Sequence, residues 1–377
     1  MADEAKARYL VLSDMHFGTS ESSINNDGFN YSLIQYMISR APWKEIIFIG
    51  DLLDVNLSTL TGAIEGSPGV GQGKPLRGFR KFIGDLDTRM KHLVPNKGLK
   101  DLTGKWYYVP GNHDYKIWDM LSSAVVCTDV LSSGKPLGAV PTPLMQYKWT
   151  DADSFIAGMF QPYGVQHHVV VEYPNHEILF GQEQEMMVLT HGHYLDSSQT
   201  GFNNLTDSFR NLTAAVEIRK AKRRIFIETA QYQTVANAVS FTMFWRGLVN
   251  SAVGPGAVWS KIKKMCNQFG GILLSLFFSS EGIKGKQISS EQLLNIECYL
   301  EKFCEYSKTP RWFIFGHTHR QDKGKTDRLK VDVYNAGSCY LDRDMPITFI
   351  EIEIDAVGQP RIQLMCVDGD GTVKASP

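Results

Sequence analysis

The sequence predicts an α/β fold with parallel strands at its centre, and three observations carry that prediction. The run Ile46-Ile47-Phe48-Ile49 is apolar, has the length of a buried strand and stops at Gly50-Asp51. A second apolar run, Tyr9 to Leu12, lies upstream, and between the two Tyr31 to Arg40 carries apolar residues at 33, 34, 37 and 38, the spacing of one helix face. Strand, helix and strand within about 45 residues form a βαβ unit, whose strands run parallel. Thirdly, apolar runs recur at Trp106 to Val109, Met187 to Thr190 and Trp312 to Phe315, each followed by a cluster of Gly, His, Asn or Asp.

Taken in order, Tyr9 to Leu12 leads into Ser13-Asp14-Met15-His16-Phe17-Gly18. Asp and His two apart at a strand end can both reach one ion; by itself the triplet reads more readily as a turn with an incidental His. Residues 19–30 are polar and loop-like, and Pro42 ends the helix that follows. Asp51 sits where the next strand leaves the core, and its two oxygens reach two metal ions at once. Residues 56–78 are rich in Gly and Ser. A phosphate-loop reading of Gly66 to Lys74 fails, because Pro68 stands where the first Gly is needed and Pro75 follows the Lys. A surface loop near the site is expected there, and Phe79 to Leu93 reads as helix.

Trp106 to Val109 ends in Pro110-Gly111-Asn112-His113-Asp114. Asn112 offers a neutral carbonyl oxygen to a metal. His113 donates a hydrogen bond to a phosphate oxygen or a proton to a leaving group, and Asp114 orients its ring. Val169 to Tyr173 and Glu177 to Phe180 flank Pro174-Asn175-His176, which reads as a hairpin, with His167 and His168 as exposed strand residues. Met187 to Thr190 ends at His191-Gly192-His193. His191 comes first off the strand and is read as a ligand; His193 lines the pocket or touches the bound substrate.

Residues 197–288 break the pattern and read as a helical cap or lid. They hold a basic stretch, Ile218 to Arg224, and the apolar stretches Phe241 to Arg246 and Phe269 to Phe278. Apolar helices beside a basic segment fit an interfacial lid, with peripheral membrane contact and a lipid-linked substrate; they equally fit a cap with a small core of its own. Ser289-Ser290-Glu291 starts a helix with an apolar stripe at Leu293, Leu294, Ile296, Tyr299, Leu300 and Phe303. Trp312 to Phe315 ends at Gly316-His317-Thr318-His319, two imidazoles placed as metal ligands. Val331 to Tyr334 follows, and Ile347 to Ile354 and Arg361 to Val367 alternate as antiparallel strands do.

Composition narrows the classes. The chain has 377 residues, 39 Lys and Arg against 40 Asp and Glu, and a net charge of -1. No global field attracts nucleic acid, and the only basic footprint is at 219–224. Six cysteines without C-x-x-C spacing read as reduced thiols of a cytoplasmic protein. The acidic start of the chain is unlike a signal peptide, and no run of 18 apolar residues forms a membrane span. Asn56-Leu57-Ser58, Asn204-Leu205-Thr206 and Asn211-Leu212-Thr213 match a glycosylation pattern that has no consequence without secretion.

All the ligand segments follow strands, and in α/β sheets sites lie at the carboxyl ends of strands, so they converge. Three oxygen donors (Asp14, Asp51, Asn112) and four imidazoles (His16, His191, His317, His319) suit Mn, Fe or Zn better than Ca or Mg. Two such ions about 3.5–4 Å apart activate a bridging water for in-line displacement at phosphorus.

The order Asp-x-His, Gly-Asp-x-x-Asp, Gly-Asn-His-Asp, His, Gly-His-x-His resembles the calcineurin-like metallophosphoesterase family, over residues 8–196 and 289–354. The resemblance implies a four-layer α/β/β/α sandwich, with a core of 1–196 and 289–377 interrupted by the helical insertion 197–288. It implies one metal, with manganese expected, held by Asp14, His16, Asp51 and His319. A second would be held by Asp51, Asn112, His191 and His317, with Asp51 bridging and His113 acting on the pentacoordinate phosphorus or the leaving oxygen. The substrate would be a phosphorylated small molecule or a lipid-linked one. A non-catalytic scaffold on this fold would be expected to lose ligands, and here none is missing. His191-Gly192-x-x-x-Asp196 before a helical insertion is also similar to the UDP-2,3-diacylglucosamine pyrophosphohydrolases, whose insertion is a lid for acyl chains. This chain differs from them in carrying His113 where they typically have Arg, and in its longer insertion.

Overall fold

The computed structural model describes residues 7–17, 22–53, 74–114, 117, 147–149, 155–181, 183–196, 205–225, 229, 287–304, 306–339 and 347–376. The strands are β1 Arg8–Leu12, β2 Trp43–Ile49, β3 Thr103–Val109, β4 Tyr147–Trp149, β5 Val169–Tyr173, β6 Asn175–Phe180 and β7 Glu185–Thr190. They continue with β8 Trp312–Phe315, β9 Asp322–Lys325, β10 Asp332–Asn335, β11 Ile347–Ile354, β12 Pro360–Val367 and β13 Val373–Ala375. Three helices matter most: α1 Asp27–Ser39, α2 Lys74–Leu93 and α3 Ser290–Cys298.

Among the described residues the strands form two mixed sheets, ordered β13-β12-β11-β1-β2-β3-β5-β4 and β6-β7-β8-β10-β9. The βαβ unit is realised: β1 and β2 are parallel neighbours, with Leu10 opposite Ile46 and Leu12 opposite Phe48. β2, β3 and β5 continue in parallel, and β7, β8 and β10 do the same in the second sheet.

Alternation along the strands produces four layers. Val11, Ile47, Ile49, Tyr107 and Val109 face Met187, Leu189 and Ile314 across the space between the sheets. Leu10, Leu12, Ile46, Phe48 and Trp106 point the other way, onto Leu33, Met37, Phe82 and Leu86 of α1 and α2. On the far side, Val188, Phe313, Phe315 and Val333 pack against Ile296, Tyr299 and Leu300. The result is the α/β/β/α sandwich that the resemblance implied.

Local signals explain the element ends. Asn26 caps α1 by accepting the Gly28 N–H, and Ser289 forms a capping box with Gln292 at α3. After Cys298 the helix widens into a π turn at Tyr299–Phe303, and Leu294 of the expected stripe is exposed.

Two expectations need correction. Val169 to Tyr173 and Glu177 to Phe180 do not form a hairpin. β5 belongs to the larger sheet and β6 to the smaller one, so the chain crosses between sheets at Pro174. The imidazole of His176, on β6, hydrogen-bonds Glu172 of β5 and Glu45 of β2, a bridge between layers rather than a turn. His167 and His168 are exposed as expected, but on a 3-10 turn and not a strand. Three short strands carried too little pattern to be read: β4, β13 and β9, whose Asp-Lys-Gly-Lys sequence is a charged edge.

Within 197–288, Leu205–Ser208 and residues 215–225 are helical. Leu205, Phe209, Ala221 and Ile225 pack into the outer core of the second sheet. The Gly-rich stretch Gly66 to Gly73 and the apolar stretches Phe241 to Arg246 and Phe269 to Phe278 lie outside the described residues. No helix among the described residues is long and apolar enough to cross a membrane.

Candidate metal centre

Five parallel strands from two sheets deliver the site residues. β1 leads to Asp14 and His16, β2 to Asp51, β3 to Asn112 and His113, β7 to His191, and β8 to His317 and His319. The loops are tied to one another by their backbones. Asp14 N–H donates to the Gly50 carbonyl at 3.1 Å, His16 N–H to Asp51 at 2.8 Å and Gly316 N–H to His191 at 3.0 Å. Asp14, His16, Asp51, His317 and His319 all have φ between 46° and 69°, left-handed backbone that costs a non-glycine residue about 1 kcal/mol or more. The strands stop abruptly there, and the side chains turn toward one point.

Among the described residues, that point is lined by three overlapping clusters: Asp14, His16 and His319; His16, Asp51 and His113; Asp51, His191 and His317. His16 Nε2 lies 3.2 Å from His319 Nε2, and His317 Nδ1 lies 3.3 Å from His191 Nε2. Two nitrogens each about 2.1 Å from one ion stand roughly 3.0–3.4 Å apart at ordinary coordination angles, so both spacings fit ligands of a shared cation. Asn112 Oδ1 is 2.9 Å from His191 Nε2 and so joins that group. Asp51 Oδ2 lies 3.4 Å from His191 Nε2 and 3.8 Å from His16 Nε2, between the two groups.

The free oxygens also fit a cation. Asp14 Oδ2 accepts from the Ser13 hydroxyl and from the His317 N–H. Its Oδ1 is buried without a hydrogen-bond partner and lies 3.2 Å from His319 Nε2. Asp51 Oδ1 accepts the His113 N–H at 2.8 Å, leaving Oδ2 to the imidazoles. His191 Nδ1 donates to the Ile49 carbonyl at 3.2 Å, which turns Nε2 inward.

Electrostatics follow from two buried carboxylates among imidazoles. Burial raises the Asp14 and Asp51 carboxyls, but His191 chiefly, with His319 beside Asp14 and His113 beside Asp51, outweighs it and holds both below the usual carboxylate range. Burial opposes the charged form of His191, yet Asp51 and Asp14 raise it to about 9.

The remaining expected residues divide. His113 stands at the rim: its side chain keeps 39 % of its exposure, against 2 % for His16 and 0 % for His191. Asp114 was expected to orient the His113 ring. Instead its carboxylate accepts the backbone N–H groups of Leu52, Leu53 and Gly111. It fastens the loop after β2 to the loop after β3, and burial with repulsion from Asp51 raises it to about 6. His193 is buried behind His191, with its Nε2 3.3 Å from the Tyr173 hydroxyl and its ring against Tyr194. Burial and the neighbouring His191 and His317 keep it neutral. Sequence reasoning assigned no part to Ser13, whose hydroxyl joins Asp14 to the Ile49 carbonyl; a Ser before a ligand Asp is a signal too common to single out.

The family model described as calcineurin-like phosphoesterase matches residues 7–321. No curated protein matches the chain significantly. Among solved structures, a dimetal phosphatase from Danio rerio is 11% identical, with 98% of each chain covered and a TM-score of 0.39. A conserved uncharacterized protein from Streptococcus pneumoniae, a predicted phosphoesterase, is 10% identical over 98% of each chain with a TM-score of 0.27. The anchor in the inner membrane complex of Plasmodium is 10% identical over 98% of this chain and 88% of its own, with a TM-score of 0.32.

Proposed function

This chain belongs to the calcineurin-like phosphoesterase family and is a metal-dependent phosphoesterase; from that premise we propose that it cleaves a phosphoester or phosphoanhydride at a dinuclear centre with Asp51 shared. The observation that carries the proposal is the place of Asp51, which is common to two of the three ligand clusters. Asp14, His16, Asp51 and His319 would hold one cation; Asp51, Asn112, His191 and His317 would hold the other. The mixed nitrogen and oxygen donors favour manganese, with iron or zinc as the alternatives. When bound, the two cations would supply Lewis-acid charge and an activated water for in-line displacement at phosphorus.

The protein's own groups do the rest. Asp114 and the backbone pairs between the β1 and β2 loops hold the ligands in place before substrate arrives. His113, the exposed imidazole at the rim, meets the substrate: Nε2, 4.0 Å from Asp51 Oδ2, donates to a phosphoryl oxygen or delivers a proton to the leaving oxygen. His193 sits behind His191 and backs that ring, so its contact with substrate is indirect.

The division into a core and an insertion at 197–288 belongs to the same proposal. The narrower reading, a lipid-linked pyrophosphate as substrate, is supported by the helix at 215–225, which packs Ile218, Ala221 and Ile225 inward and leaves Arg219, Lys220 and Arg223 exposed. Free thiols at Cys298, Cys304, Cys339 and Cys366 support a reducing compartment such as the cytosol.

The test is a hydrolysis panel with Mn, Zn and Mg, in which chromogenic mono- and diesters are set against an acylated nucleotide-diphosphate sugar. Asp51→Ala serves as the blank. Turnover that needs two bound ions and vanishes in the blank is expected. Protein that binds two metals and stays inert on every phosphoester and pyrophosphate would sink the proposal. Small esters reacting as well as the acylated compound would remove the lipid reading alone.

A further inference from the structure

We propose that Asp196 is a positioning residue for His317: its carboxylate takes the Nε2–H of the ring and so presents Nδ1 to the centre. The inference rests on the dinuclear reading above. Asp196 Oδ2 lies 3.1 Å from His317 Nε2, and an ionised carboxylate only accepts. The proton of the neutral ring is therefore fixed at Nε2. The lone pair at Nδ1 then faces the cluster, 3.3 Å from His191 Nε2.

The arrangement complements that of His191, which is held at Nδ1 by the Ile49 carbonyl and offers Nε2. The two rings are pinned at opposite nitrogens and meet at the same place. His317 needs such a partner, because its backbone has φ 69° and its side chain retains 11 % exposure.

Asp196 is itself held firmly. It is 6% exposed, and its N–H closes the 3-10 turn His193–Leu195 by donating to the His193 carbonyl at 3.3 Å. Asn295 on α3 donates Nδ2 to the Leu195 carbonyl at 3.1 Å and accepts the Thr206 hydroxyl at 2.8 Å through Oδ1. The outer helix layer thus sets the turn, the turn sets the carboxylate, and the carboxylate sets the ligand.

The test compares wild type with Asp196→Ala and Asp196→Asn in the full chain. The first readout is the His317 tautomer by long-range proton–nitrogen NMR at alkaline pH in metal-free protein. The Nε2–H form is expected in wild type and Asn, and its loss in Ala. The second readout is Mn calorimetry, where one of the two sites should weaken by about 10- to 100-fold in Ala and less in Asn, while the other stays as in wild type. A tautomer and a Mn affinity unchanged in Ala overturn the proposal. If Ala fails to fold, the wild-type tautomer decides: a His317 ring protonated at Nδ1 overturns the proposal, and one protonated at Nε2 supports it. Wild type that binds no Mn would defeat the dinuclear reading, whereas the metal-free tautomer judges the role of Asp196 separately.

Discussion

His319 and four other site residues occupy left-handed backbone, and that strain has a measurable signature. At φ 59°, Gly at 319 avoids a cost that Ala must bear. In metal-free protein His319→Gly should therefore be more stable than His319→Ala by roughly 0.5–1 kcal/mol, the left-handed cost of Ala less the chain entropy of Gly. Chemical denaturation of the two variants checks this, and a more stable Ala variant contradicts it. Proton linkage at His191 gives a second expectation. Its folded value of about 9 lies above the ordinary 6.5, so in metal-free protein its stabilising contribution is complete below 6.5 and is lost as pH rises through 9. A cation must displace that proton. Metal affinity should accordingly rise with pH up to about 9, with proton release at neutral pH that calorimetry in buffers of different ionisation enthalpy detects. The residue types gathered at the candidate centre were legible in the sequence because short-range patterns place them at strand ends. Their backbone strain was not, because Asp and His carry no sign of φ. The role of Asp114 was misread for a related reason: adjacency to His113 suggested a partner that the loop geometry gives to Leu52, Leu53 and Gly111.

Loops and strands are held at a few close approaches. A Cβ at Gly316 would collide with Ser13 Oγ and Asp14 Oδ2, and one at Gly111 would collide with Asp51 Oδ1 and its backbone nitrogen. Gly316→Ala is expected to leave the protein folded but less stable by about 1–3 kcal/mol, with both cations bound more weakly. Mn calorimetry alongside thermal unfolding checks it; unaltered Mn binding would show that the close approach is dispensable. Between the sheets, His176 is clamped by Glu172 at 2.5 Å and Glu45 at 3.1 Å and stacks on Tyr107. Both ring nitrogens face carboxylates, so the imidazolium is the form that fits. Burial opposes that charge, but the two glutamates raise His176 above 6.5, while His176 and Lys148 overcome burial and lower Glu172 below 4.5. The His176 contribution is complete below pH 6.5 and fades as pH climbs through its raised value. The Glu172 contribution is complete above 4.5 and fades as pH falls through its lowered value. His176→Gln should flatten both limbs of the stability–pH curve, and denaturant midpoints measured from pH 4 to pH 9 test it. A curve parallel to wild type would rule the clamp out. The same contact explains the misread hairpin, since two apolar runs around a Pro look alike whether they pair or part.

At the scale of the molecule, two sheets bring the carboxyl ends of five parallel strands together, and the buried carboxylates and imidazoles gathered there want a cation. Chelation should lower the unfolding midpoint in a metal-dependent way. Each site held at a free metal concentration 100 times its Kd adds about 2.7 kcal/mol to stability, which calorimetric scans with and without chelator read directly. An unfolding midpoint indifferent to chelator would mean that the centre is not occupied. The sequence by itself determined the fold class, the strands that carry the candidate site and the side chains that those strand ends bring together. Periodicity, strand length and the Gly before a ligand are short-range properties written into neighbouring residues. Only the tertiary structure decided which imidazole nitrogen faces inward, that Asp114 grips backbone, that His176 bridges layers and that Asp196 stands behind His317. Those are contacts between residues from 62 to 142 positions apart or between separate sheets, and they exist only once the layers have closed on one another.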